Sequence, residues 1–303
     1  MTSVLVTGGT SSPGLILLNL LSHAPDRVHA VVRSEEAAAT VCERGAIPVY
    51  HDLAAGTRPP AGRADVLLHL AGVSHAVAAD RLARDWGCGA AVCISSASAA
   101  VDGHPLAERL RSWEGELFDS TVRWRVLRPT MIFGSPRDRN LRLLTRMLQR
   151  LPACPRFTGG GLIQPVFVDD VAAAVWETAR RTRDGDKTLP RTIPYGGTLQ
   201  MTFGGLCEDI SDREGLRRLP ISISVAMLSK LSRLTGADRR GRLGHAVSML
   251  TTARVVDSPF DVGLRHMPRP WPIALDLALS RYSEPSAGNS SVSKSGSHGG
   301  EHA

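Results

Sequence analysis

Residues 3–21, SVLVTGGTSSPGLILLNLL, constrain the fold more than any other stretch: an apolar run, a glycine turn, and a second apolar run. The first run, 3–7, has the unbroken Val/Leu character of a strand buried on both faces. Gly8 and Gly14 punctuate the turn that follows it, and Pro13 suits a first helical turn because it has no N–H to leave unbonded. A strand, a glycine turn and a helix bring free backbone N–H groups and the positive end of a helix dipole to one point. That point suits a pyrophosphate. Gly8, Thr10, Ser11, Ser12, Pro13 and Gly14 are therefore candidates to hold a dinucleotide. Ser11 stands where a middle glycine belongs, presenting its N–H and adding a hydroxyl donor.

The same alternation continues along the chain. Further strands are predicted at 28–32, 46–50, 65–70, 90–95 and 124–128, and helices at 13–22, 34–44, 76–86, 105–119 and 138–151. Such an order implies an α/β fold, a Rossmann-type doubly wound parallel sheet. After it come a short strand at 166–168, Asp169 and Asp170 capping a helix over 171–182, a strand near 191–195, and a mostly helical stretch over 198–260. This divides the chain into a dinucleotide-binding domain at 1–182 and a smaller, mainly helical substrate domain at 183–283. The Ser/Gly-rich tail 284–303 is expected to be disordered.

Composition narrows the class. Net charge is +7, but only Lys187, Lys230 and Lys294 are lysine, and the arginines are spread among acids except at 233–242. With aromatics at 5%, this is not the basic, aromatic-interleaved face of a nucleic-acid binder. No apolar stretch reaches the roughly 18 residues of a membrane span. A strand beginning at residue 3 leaves no room for a signal peptide, and five cysteines without a CxxC pair suit a reducing compartment, so a cytoplasmic protein is expected. The histidines and acids have no recurrent metal-ligand spacing, and no metal is expected.

The carboxyl ends of the predicted strands carry the remaining candidates. Arg33 ends the second strand, where an acid would bind a ribose 2′-hydroxyl; an arginine instead suits a 2′-phosphate, favouring NADPH over NADH. Asp52 and Leu53 follow the third strand, and Leu70, Ala71 and Gly72 the fourth. Ser95, Ser96 and Ser98 follow the fifth, and Pro129, Thr130 and Met131 the sixth. In order and spacing over 3–182, these anchors resemble the extended and atypical short-chain dehydrogenases/reductases, the NAD-dependent epimerase/dehydratase branch. The resemblance implies that Asp52 and Leu53 lie against adenine, Leu70–Gly72 along a ribose, and Pro129–Met131 near nicotinamide.

The family's proton-donating pair, a tyrosine four residues before a lysine, is missing. Aligning Ser112 and Glu116 with the family pattern puts Arg109 and Trp113 in the two places, and no shift of register recovers either residue. Ser95, Ser96 and Ser98 remain as carbonyl polarisers, and His104 and His75 as imidazoles following strand ends. The chain is similar to ketoreductases of angucyclinone formation. The expected activity is NADPH-dependent reduction of an aromatic polyketide-type ketone in secondary metabolism, namely antibiotic biosynthesis. A phenol of the substrate would assist protonation. Two alternatives stay open: a non-catalytic NADP(H)-sensing regulator of the NmrA-like kind, and a sugar-nucleotide epimerase or dehydratase. The expected partner is a small-molecule ketone; the sequence leaves the oligomeric state open.

Overall fold

The computed structural model describes residues 2–24, 27–138, 140–216, 219–227, 230, 255–256 and 263–283. Strand β1 (Ser3–Thr7) leads into α1 (Ser12–Ser22), followed by β2 (Arg27–Val32), α2 (Glu35–Cys42), β3 (Ile47–Tyr50) and β4 (Val66–His69). Next come α3 (Ala76–Asp85), β5 (Ala90–Ile94), α4 (Ala107–Phe118) and β6 (Arg123–Pro129). Beyond these lie β7 (Ile132–Phe133), α5 (Leu141–Arg150), β8 (Cys154–Thr158), β9 (Leu162–Ile163), β10 (Val166–Phe167) and α6 (Val168–Arg183). The described chain closes with β11 (Thr192–Tyr195), β12 (Met201–Thr202), α7 (Phe203–Arg213), β13 (Pro220–Ser224) and α8 (Trp271–Ser283).

Seven strands form one sheet in the order β11-β6-β5-β4-β1-β2-β3, with every neighbouring pair parallel. The order reverses between β1 and β4, the place where sheets of this kind open a crevice for a ligand. Alternate residues of the strands enter two cores. Val4, Val6, Leu68 and Val92 pack with Leu17 of α1 and Val171 and Val175 of α6. Leu5, Leu67, Ala91 and Val126 pack with Leu82 of α3 and Leu117 of α4. Both faces are dry, which is why these strands are apolar throughout rather than alternating.

A third core joins Phe133, Leu144, Phe167, Leu206, Ile210, Trp271 and Leu275. The smaller lobe is thus built from 132–167, 201–213 and 271–282 together, while β11 returns beyond residue 182 to extend the main sheet. Three details depart from the sequence reading. The stretch 198–260 is not helical at 220–224, where β13 pairs in parallel with β8; residues 231–254 and the tail 284–303 lie outside the described residues. Helix α6 begins at Val168, so Asp169 and Asp170 sit within its first turn, where the dipole favours acids, rather than ahead of it. Helices α4 and α5 are each shorter at both ends than expected. Cys88, Cys93, Cys154 and Cys207 are buried as free thiols, and Cys42 is exposed.

One polar pair lies inside the sheet. His69, fully buried on β4, accepts at Nδ1 from the Thr7 hydroxyl (2.7 Å) and donates from Nε2 to the Gly72 carbonyl (2.9 Å). Burial holds its pKa down at about 4 against 6.5 for a free imidazole. Between those values the unfolded chain binds a proton that the folded chain does not, so stability falls as pH drops from 6.5 toward 4. The loss expected from this one residue is about 3 kcal/mol. Urea unfolding across this range measures it; stability that is flat or rises on acidification would contradict the buried neutral imidazole.

Candidate cofactor and substrate site

A cleft of about 620 Å³ opens at the carboxyl ends of β1 to β4. Of the residues singled out in the sequence, Gly8, Thr10, Ser11, Arg33, Asp52, Leu53, Leu70 and Ala71 line it together. Ser12, Pro13 and Gly14 do not line it; they make up the first turn of α1 next to it. Gly8 has φ +69°, and a Cβ there would lie 2.5 Å from the Ala71 nitrogen. A Cβ on Gly14 would lie 2.2 Å from the Gly8 carbonyl oxygen. The turn can press against β4 and α1 only because both side chains are absent.

Ser11 does something other than expected. Its N–H donates to the Gly8 carbonyl (2.9 Å) and its hydroxyl accepts the Gly14 N–H (3.2 Å), so it caps α1 and its amide is committed to the turn. The Thr10 and Ser12 amides make no hydrogen bond among the described residues and remain as donors for an anion. A cradle that a Cβ would fill, with two open amides at a helix N-terminus, fits a dinucleotide pyrophosphate.

At the far end, Arg33 and Ser34 line the cleft where α2 begins, with Ser34 capping that helix through the Ala37 N–H (3.2 Å). These cationic and helix-terminal groups suit a 2′-phosphate, although Glu36 shares the same wall. Asp52 turns the chain by accepting the Ala54 N–H (3.0 Å), which leaves Leu53 against the cleft. His51, Thr40, His75 and Arg137 also line the cleft. Of these, only His75 stands out in the sequence; Arg137 gives no local signal because it sits in a polar loop whose fold partner is 127 residues away.

The opposite end, over β5 and β6, is where the missing pair would stand. Glu114 of α4 is 1% exposed, and Arg128 of β6 donates from Nε to both its carboxylate oxygens (3.1 Å each) and from Nη2 to one of them. Ser95 donates its hydroxyl proton to the same carboxylate. Ser95 therefore does not fit the expected role of carbonyl polariser, because its proton is already given to an acid. Ser96 spends its oxygen on the Ser98 N–H (3.2 Å), capping the 3-10 turn Ala97–Ala100. The Ser98 hydroxyl alone of the three makes no bond among the described residues.

His104 accepts the Leu106 N–H at Nδ1 (3.2 Å), which puts the ring proton on Nε2 and leaves a neutral imidazole. In that state it can donate a hydrogen bond but is a poor acid. Thr130 commits its N–H to the Tyr195 carbonyl and its hydroxyl to the Gln164 carbonyl; Pro129 is buried and Met131 partly exposed beside it. Gly72 spends its carbonyl on His69 and the His75 N–H. The Arg109 guanidinium lies over the Trp113 ring at 5.0 Å, so the two residues in the dyad positions pack on each other. Neither can be a proton donor at neutral pH.

No known family profile matches the chain, and no curated protein matches it in sequence. Solved structures do. The crystal structure of gox2253 is 18% identical over 93% of this chain and 98% of that chain, with a TM-score of 0.69. An NADPH-dependent quinone oxidoreductase, QOR2, from Escherichia coli is 16% identical over 91% and 99%, with a TM-score of 0.67. TunA, an NAD-dependent NDP-hexosamine 5,6-dehydratase involved in tunicamycin biosynthesis, is 12% identical over 93% and 98%, with a TM-score of 0.65. The chain shares the overall fold of these structures, a seven-stranded parallel sheet flanked by helices. Among the described residues no helix is long and apolar enough to cross a membrane, and no three potential metal ligands cluster.

Replacing Glu114 by alanine would leave Arg128 buried without its partner. The expected cost is about 3–5 kcal/mol. Glu114→Gln, which keeps acceptors for Arg128 and Ser95, should cost less. Denaturant midpoints read both, and a Glu114→Ala loss below about 1 kcal/mol would place the pair in solvent rather than in the core.

Proposed function

We propose that the protein is an NADPH-dependent ketoreductase that reduces a carbonyl of an aromatic polyketide-type substrate in secondary metabolism. The observation that carries this reading is the cleft itself: an open-amide glycine turn at one point and Arg33 and the α2 N-terminus at its far wall, while the Glu114 carboxylate over β5 and β6 is already bonded to Arg128 and Ser95. When bound there, reduced nicotinamide would supply hydride equivalents to a carbonyl carbon. The Gly8–Gly14 turn binds and orients the pyrophosphate through the Thr10 and Ser12 amides. Arg33 and Ser34 hold the 2′-phosphate and select against its absence. The Ser98 hydroxyl can give a hydrogen bond to a carbonyl oxygen at the β5 end.

Neither that hydroxyl nor the neutral His104 ring replaces a positioned acid, whose loss typically forfeits about 10²–10⁴ in rate. A ketone beside a phenol tolerates that loss, because the phenol already hydrogen-bonds the oxygen that gains charge. The whole-chain likeness to an NADPH-dependent quinone oxidoreductase supports an electron-poor carbonyl substrate. Epimerases and dehydratases share the fold as well. Their chemistry as a reading for this chain is weaker, since oxidising an unactivated alcohol needs a base, and α4 offers Arg109 and Trp113. A regulator of the NmrA-like kind would bind the nucleotide and turn nothing over.

Anaerobic incubation with NADPH and a panel of hydroxyaryl ketones separates these readings. Ketone-dependent loss of absorbance at the reduced nicotinamide band is expected; tight NADPH binding without turnover on any aryl ketone would favour the regulator. Arg33→Ala should raise the Kd for NADPH by about 10-fold, as expected for losing one charged contact, while leaving NADH unchanged. Equal weakening of both nucleotides would remove Arg33 from the 2′-phosphate site.

A further inference from the structure

The loop between β7 and α5 stands against the glycine turn. Its Arg137 is exposed, lines the cleft beside Gly8, Thr10 and Ser11, and donates from Nη1 to the Thr10 carbonyl at 3.2 Å. A guanidinium has five N–H donors, and this contact uses one. Among the described residues Arg137 has no carboxylate partner. The turn it leans on supplies only neutral amides, yet a dinucleotide pyrophosphate carries two negative charges. No lysine precedes Lys187 in the chain to meet them.

The place of Arg137 is set from the last described helix. The Tyr282 hydroxyl donates to Asp138 Oδ2 (2.6 Å) and accepts the Gly134 N–H (3.0 Å). Burial beside Asp138 raises the Tyr282 pKa, so the phenol keeps the proton it donates. Arg281 donates to the Gly134 carbonyl (3.1 Å) while holding both oxygens of Asp169 (2.8 Å each). Asp138 Oδ1 in turn accepts the Asn140 and Leu141 amides (2.7 and 3.2 Å), fixing the start of α5. Gly134 and Asp138 are thus tied down on either side of Arg137, through contacts spanning 148 and 144 residues of chain.

We propose that Arg137 binds the cofactor pyrophosphate across the glycine turn, and that Tyr282 and Arg281 are positioning residues that hold it there. This rests on the reading of the cleft as a dinucleotide site. It makes the C-terminal helix, remote from the cleft in sequence, part of the cofactor-binding apparatus. It also gives two charges different roles, since Arg33 reads the 2′-phosphate and Arg137 meets the pyrophosphate common to both nicotinamide dinucleotides.

Three ligands distinguish these roles by titration against the full chain: NADPH, 2′-phospho-ADP-ribose, which keeps the pyrophosphate, and 2′-phosphoadenosine, which lacks it. Arg137→Gln is expected to weaken the first two by about 10- to 100-fold, the range for a hydrogen-bonded charge. It should leave 2′-phosphoadenosine within about 2-fold, which also reports that the site is folded. Tyr282→Phe should weaken the same two ligands less, and should add nothing in the Arg137→Gln background, because its effect passes through Arg137. Arg137→Lys should recover part of the affinity. Equal weakening of all three ligands, or of none, by Arg137→Gln overturns the pyrophosphate assignment. Additive effects of Tyr282→Phe and Arg137→Gln overturn the positioning role. Failure of the unmodified protein to bind any of the three ligands overturns the dinucleotide reading as well.

Discussion

The buried carboxylate of Glu114 decides the character of this molecule. Arg128 from β6 and Ser95 from the end of β5 both bond to it, so α4 is fastened to the carboxyl ends of two central strands. That is the end of a parallel sheet at which chemistry is done. A buried ion pair is weak evidence of net stability, but once present it fixes geometry, because removing either partner strands a charge. Here it fixes Ser95 as a structural donor. It also fixes α4, the helix on which Arg109 and Trp113 stack against each other. The adjacent turn is held by Ser96, which accepts the Ser98 N–H, so the hydroxyl protons of Ser96 and of the buried Ser98 both make no bond among the described residues.

The cleft at the ends of β1 to β4 is lined by two arginines, Arg33 and Arg137. The pyrophosphate turn works by backbone amides and close packing, with Gly8 and Gly14 admitting contacts that a Cβ would forbid. Arg137 bridges onto this turn, and Arg33 stands at the far wall beside the α2 N-terminus. Under the proposed reading these groups grip the non-reacting part of the ligand, while over β5 and β6 Glu114, Arg128 and Ser95 are bonded to one another. Such a division suits a substrate that needs positioning more than activation, since alignment alone can remove about 7–11 kcal/mol of barrier.

Much of this was legible in the chain because buried parallel strands are apolar in both parities. The runs at 3–7, 65–70 and 90–95 match β1, β4 and β5 to within one residue at each end. The glycine turn was equally plain, since a close backbone approach leaves only glycine as a solution. What could not be read depends on contacts distant in sequence. Strand β13 begins on Pro220 and takes its register from β8, far away in sequence. Glu114 looked like one more surface acid on α4 until Arg128 and Ser95 closed on it. The Ser11 amide looked available because its acceptor, the Gly8 carbonyl, is set by the turn's geometry and not by residue type. Helix α8 is apolar on both sides, with Ile273 and Leu277 exposed and Leu275 and Leu279 buried, so periodicity said little about which face would pack.

The central claim is that the protein supplies the geometry and the substrate supplies the acid. The most direct test compares NADPH oxidation with an aryl ketone carrying a phenol beside the carbonyl and with its methyl ether, which removes only that proton. The account predicts that kcat/KM falls by about 10²–10⁴ on methylation, the weight of a lost positioned acid. Equal rates for the two ketones would contradict it and show that the proton comes from the protein.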